Sequence, residues 1–87
     1  MEQKRIKIYL VHEQVEWHNS DTETDVFAYY KQEDAQAKAL KLIGEFKAWC
    51  DKDDREIVFE HTGAKGTTIE TISDDIYNVW IDTAMLH

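Results

Sequence analysis

The side chains able to do chemistry fall in a few short stretches. Thr62-Gly63-Ala64-Lys65-Gly66-Thr67-Thr68 has the glycines, lysine and threonines of a phosphate-binding loop. That loop needs two glycines five residues apart, a lysine after the second, and a helix whose first N–H groups meet the phosphate. Here the glycines stand at 63 and 66, Lys65 precedes the second, and the following residues alternate as a strand. The stretch reads as a β-turn.

Two acidic runs, Asp21–Asp25 and Asp51–Glu56, bring carboxylates close together as calcium loops do. A calcium loop starting at Asp21 requires Gly at 26 and Glu at 32, where the chain has Val26 and Gln32. One starting at Asp51 requires Gly at 56 and Glu at 62, where it has Glu56 and Thr62. Solvated loops account for both. His12, Glu16 and His18 share parity on an extended chain and suggest a metal cluster. At about 3.3 Å per residue the two histidines stand roughly 20 Å apart, too far for one ion unless the chain turns between them. His61 and His87 add no ligand spacing. No metal and no cofactor is expected.

Nucleophilic chemistry has little support. No serine stands in a nucleophile elbow, and Cys50 has no base beside it in sequence. Asp74 and Asp75 point to opposite sides if extended. Residues distant in sequence can still converge, which leaves a small-molecule or enzymatic role in a helix–sheet pocket open. The expected reading is non-enzymatic.

The element that must position everything else is the stretch Lys31–Asp51. Ala35, Ala39, Leu42, Ile43, Phe46, Trp49 and Cys50 recur at three- and four-residue spacing and share one helical face. Glu33 and Asp34 suit the positive end of the helix dipole. Gly44 costs about 1 kcal/mol relative to Ala, and close approach of helix to sheet would explain it. Cys50 on this face reads as a buried free thiol.

The remainder reads as strands. Lys4, Arg5 and Lys7 alternate with Ile6, Ile8 and Leu10; the apolar set then changes parity to Val11, Val15 and Trp17. A bulge near His12, or a central strand covered on both faces, would produce that change, and a long bulged strand is expected. Residues 18–25 form a hairpin connection to a strand Val26–Tyr30. A third strand at 56–62, a Gly63–Gly66 turn, a return strand at 67–72 and a last strand at 76–84 complete the chain. On the last strand Ile76, Asn78 and Trp80 share one face, and Tyr77, Val79 and Ile81 the other. The order β-β-α-β-β-β implies an α+β two-layer sandwich, with four to five antiparallel strands packed on one helix, in a single domain spanning residues 1–87.

Charge narrows the partners. Eighteen acidic against ten basic residues give −8. Direct binding to DNA or RNA is not expected, because phosphate contacts rely on clustered Lys and Arg; a basic protein surface is the more natural partner. No Lys or Arg falls between Lys7 and Lys31, and that gap holds Glu13, Glu16, Asp21, Glu23 and Asp25. The apolar run near the N-terminus is too short for a signal-peptide core or a membrane span. A lone cysteine suits a reducing cytoplasm.

One helix covers one face of such a sheet, so the other face is expected to present aromatics drawn from Tyr9, Trp17, Tyr29, Tyr77 and Trp80, and to make a homodimer or dock a protein. Asp25-Val26-Phe27 leading into a strand, Glu33-Asp34-Ala35 opening a helix, and the closing strand Tyr77-Asn78-Val79-Trp80-Ile81 give an order that resembles the small acidic uncharacterised open reading frames of phages and integrated mobile elements. The Gly63–Gly66 hairpin departs from them, since a longer acidic loop is usual there. The resemblance implies an accessory protein, and some similar phage proteins inhibit host defence nucleases by imitating nucleic acid. No functional residue carries over by motif. The expectation is a protein-interaction module with contacts among Glu13, Glu16, Asp21, Glu23, Asp25, Trp17, Tyr29, Tyr77 and Trp80. The alternative is a nucleic-acid mimic using the acidic block, joined by Asp51, Asp53, Asp54, Asp74 and Asp75.

Overall fold

The computed structural model describes residues 5–86. Lys4, at the head of the expected first strand, and His87 lie outside the described residues. In chain order the elements are β1 (Ile6–Glu16), β2 (Thr22–Tyr29), α1 (Gln32–Lys52), β3 (Ile57–Gly63), β4 (Gly66–Thr71) and β5 (Ile76–Leu86). The strands form one antiparallel sheet, ordered β2-β1-β5-β4-β3. The α+β two-layer architecture is the one the alternation and the single helical stretch imply.

β1 contains no bulge. Its register runs unbroken against β5 from Ile6↔Leu86 to Glu16↔Ile76, and against β2 from Tyr9↔Tyr29 to Glu16↔Thr22. The change of apolar parity has a simpler origin: β1 is central, so its odd residues lie under the helix while Ile8 and Leu10 serve the opposite face. The irregularity in the sheet falls in β3, between Ile57 and Phe59.

The core is Val11, Val15, Ala35, Leu42, Phe46, Cys50, Ile69, Tyr77 and Val79. Phe46 of α1 lies nearly parallel to the Tyr77 ring, with centroids 4.1 Å apart and an 8° angle between planes. α1 contacts β1, β5 and β2. Glu33 and Asp34 occupy its first turn and Lys52 its last, as the dipole favours. The helix stops as Asp53 N–H bonds to Trp49 O, Asp54 turns to φ +54°, and Arg55 N–H bonds to Cys50 O at 2.7 Å. Asp tolerates this left-handed position, where Gly is commoner.

The two glycines singled out by sequence have different reasons from those expected. Gly44 has nothing within 4 Å of where a Cβ would sit, so it permits no close approach to the sheet. Gly66 does. It has φ +111°, and a Cβ there would meet Val79 O at 2.3 Å and Trp80 Cβ at 2.8 Å. Only Gly lets the β3–β4 hairpin close against β5 at this point.

Candidate functional site

Residues directly opposite on antiparallel strands share a face. The register therefore puts Glu13 beside Val79 and Asp25 on the helix side, with Tyr77 diagonal to it opposite Val15, and His12 beside Trp80 and Val26 on the open side. Of the five aromatics expected on the open face, only Trp80 is there, stacked on His12 with centroids 4.9 Å apart. Tyr77 is 1% exposed, within the core, and is no interaction residue. Tyr9, Trp17 and Tyr29 pack against that same core. The physical reason is that the helix leaves the outer strands partly uncovered, and large rings at odd positions fill in around it.

The acidic block is divided in the same way. Glu13, Glu23 and Asp25 lie on the helix side of β1–β2, and Glu16 faces the other way. Glu23 accepts from Trp17 Nε1 at 3.0 Å, and Asp21 closes a turn with Asn19. Glu13 Oε2 accepts from the Tyr77 hydroxyl at 2.5 Å. Burial, then that hydrogen bond, then the charges of Glu13 and Glu45 push the Tyr77 phenol well above its ordinary value. Asp53 pairs with Arg55 at 2.9 Å.

Asp75 is no part of any acidic surface: it is fully buried at the centre of a polar node. One carboxylate oxygen accepts from His18 N–H at 3.1 Å and lies 3.4 Å from His18 Nδ1. The other accepts from Arg55 at 2.8 Å and from the Thr71 hydroxyl at 2.9 Å. Burial pushes this carboxyl up, but the His18 and Thr71 hydrogen bonds and the Arg55 charge together hold it below its ordinary value. Arg55 also lies over the Trp49 ring, which meets Trp17 edge-on. The node joins the end of β1, the end of α1 and the start of β5. It is a clasp, with its donors and acceptors already matched.

Cys50 is 1% exposed beside this clasp. Burial and the Asp75 charge push its thiol up, against the pull of Arg55. A nucleophilic cysteine requires the reverse. Among the described residues no three His, Cys, Asp or Glu are grouped to hold a metal ion.

A groove of about 540 Å³ lies between α1 and the sheet. One wall is the helix stripe Gln32, Gln36, Leu40 and Ile43, at the spacing that aligns residues on one flank. The other wall is Val79, Trp80, Ile81 and Thr83 of β5, and the β3–β4 hairpin closes one end. β4 pairs with β5 only up to Val79, while β1 pairs with it as far as Leu86. Gly66, the first residue of β4, lies against Trp80, so among the described residues the outer edge of β5 from Ile81 to Leu86 has no strand beside it, and the groove opens along that edge. Leu40 is 70% exposed in this wall. Tyr9 is the only titratable residue of the lining. The groove offers apolar surface, amides and hydroxyls, together with backbone groups along a strand edge.

Sequence reasoning left a helix–sheet pocket open but did not single out Gln36, Leu40 or Thr83 as its lining. Leu40 stood off the main apolar face of α1, a signal that could have marked a second face. The step where β4 ends beside β5 left no local signal. Comparison with family models, with curated proteins and with solved structures finds no match. No helix among the described residues is long and apolar enough to cross a membrane.

Proposed function

We propose that the protein is a non-enzymatic protein-interaction module that receives its partner in the groove between α1 and the unpaired part of β5. The observation that carries this reading is the chemistry of the lining. An exposed Leu40 faces an unpaired strand edge, with amides and hydroxyls between them and no acid–base pair or nucleophile. Such a groove favours an extended polypeptide, which supplies main-chain hydrogen bonds to the edge and alternate side chains to the cavity. The single buried thiol supports a cytoplasmic setting, and the element order supports an accessory protein of a phage or mobile element.

The test is capture of partners from a lysate by the wild type and by Leu40→Asp, across a salt series. A partner that survives high salt and is lost on Leu40→Asp supports the groove. Equal capture by both proteins would place the contact elsewhere.

The nucleic-acid mimic remains a second reading because Glu13, Glu23 and Asp25 share one face of β1–β2. It loses Asp75 to the core and Glu16 to the opposite face. It requires binding that falls steeply with salt and competition by DNA for the same site.

A further inference from the structure

We infer that His12 is a pH-sensitive latch on the free edge of β5: carrying a proton, it neutralises Asp82, the sole charge on Ile81–Leu86, and that edge then accepts an added strand. This rests on the reading of the groove as a site for an extended polypeptide and adds its regulation.

Ile81, Thr83 and Met85 face the helix side, where the groove lies, and Asp82, Ala84 and Leu86 face the open side. Gly66 stops the free edge at Trp80, so an added strand spans Ile81–Leu86, roughly 20 Å at about 3.4 Å per residue. A charge on an edge strand discourages pairing with another strand. Asp82 is that charge: its side chain is 59% exposed, and every other residue of the segment is uncharged. An incoming strand strips water from the carboxylate, which is costly for a lone charge and less so for a paired one.

His12 is placed to supply the pairing. Its Nε2 is buried and lies 3.1 Å from Asp82 Oδ2, yet makes no hydrogen bond. A buried nitrogen left without a partner is unfavourable, and a proton there completes the contact as an ion pair. The ring is stacked on Trp80 with 3° between the planes, which holds this nitrogen beside the carboxylate. Among the described residues no other charge faces the ring. From β5 it meets Trp80, flanked by Asn78 and Asp82; from β2, Val26, flanked by Thr24 and Ala28; along β1, Leu10 and Gln14. α1 lies on the opposite face of the sheet. Histidine is the side chain that changes charge between about pH 5 and 8. The edge is therefore open at the acid end of that range and guarded by an unpaired Asp82 at the other.

The experiment is an NMR titration of the isotope-labelled protein with an acetylated, amidated hexapeptide of alternating valine and threonine, at about pH 5.5 and about pH 8. The peptide has no titratable group, so any pH dependence belongs to the protein. The expected result is movement of the Ile81–Leu86 amide signals, with wild-type affinity about 10-fold higher at the acid value. Asp82→Asn should bind at both values as tightly as the wild type does in acid. His12→Gln, which leaves His18 and His61 in place, should bind weakly at both. Circular dichroism checks that His12→Gln is folded; if it is not, Asp82→Asn decides. Wild-type binding at the edge that does not change with pH overturns the inference and leaves the groove reading standing, as does a pH dependence that survives Asp82→Asn. Binding away from the groove edge, or none by the wild type and Asp82→Asn at either value, overturns the inference together with the groove reading.

Discussion

Glu13 and Tyr77 are diagonal neighbours on adjacent strands, opposite Val79 and Val15 respectively, and the Tyr77 hydroxyl donates to the Glu13 carboxylate at 2.5 Å. The phenol is buried and held against a negative charge, so folding favours its protonated form. A group whose folded value lies above its unfolded value contributes stability in full below the unfolded value, about 10 for tyrosine, and loses it as pH rises beyond that. Tyr77→Phe should therefore cost about 1–2 kcal/mol at pH 8. The gap to the wild type should shrink progressively as pH rises above about 10. Urea melts of both proteins at several pH values check this, and a constant gap would show that the phenol is not linked to folding.

The Asp75 clasp has the opposite sign. Its carboxyl is held below the ordinary value, so its contribution is full above about pH 3.9, the unfolded value, and is lost as pH falls below that. Asp75→Asn should lower Tm by roughly 10 °C at pH 7, because Arg55, Thr71 and the His18 N–H lose a charged acceptor. Its acid limb should be flatter than that of the wild type. Thermal melts from pH 2.5 to 7 decide the point; parallel curves would mean that Asp75 titrates alike in both states.

Gly44 and Gly66 should respond to alanine in opposite directions. Gly44→Ala fills open space on a helix and removes freedom from the unfolded chain, so it should stabilise by about 0.5–1 kcal/mol. Gly66→Ala drives a methyl into Val79 O from a left-handed backbone and should cost more than about 2 kcal/mol. Denaturant midpoints of the pair test this. Tolerance of Gly66→Ala would show that the hairpin can move away from β5, which would also widen the groove.

Local pattern carried the elements. Period two and period 3.6 are properties of neighbouring residues, so Lys31–Asp51 and most strands were legible nearly to their ends; the exception is β2, which starts at Thr22 inside the expected 18–25 connection, because pairing with β1 extends it through polar residues that carry no apolar alternation. What was not legible is what neighbours cannot encode. The parity change at Val11 depends on which strand is central, and that is set by β5, whose Ile81 pairs with Val11 from the far end of the chain. The fate of Tyr77 follows from which side the helix takes. Both faces of β5 alternate with apolar residues, so the pattern alone gave no reason to assign Tyr77 to Phe46. Asp75 looked like a turn carboxylate beside Asp74 until His18, Arg55 and Thr71 converged on it. The groove lies at a step between strands of unequal reach, which is a property of register alone.

Cys50 gives a direct measure of how firmly the clasp holds. Its thiol is buried, and burial together with the Asp75 charge favours the neutral form. The thiolate is the species that reacts, so a disulfide reagent should label the native protein at least about 100-fold more slowly than the unfolded chain. Labelling then requires the end of α1 to lift away from β5, and its rate reports that opening. Thr71→Val removes a hydroxyl that both donates to Asp75 and accepts from its N–H, and should cost about 1–3 kcal/mol. It should speed labelling in proportion if the clasp gates the opening. Faster unfolding in urea with no change in labelling of the native state would instead mean that α1 opens without the clasp breaking.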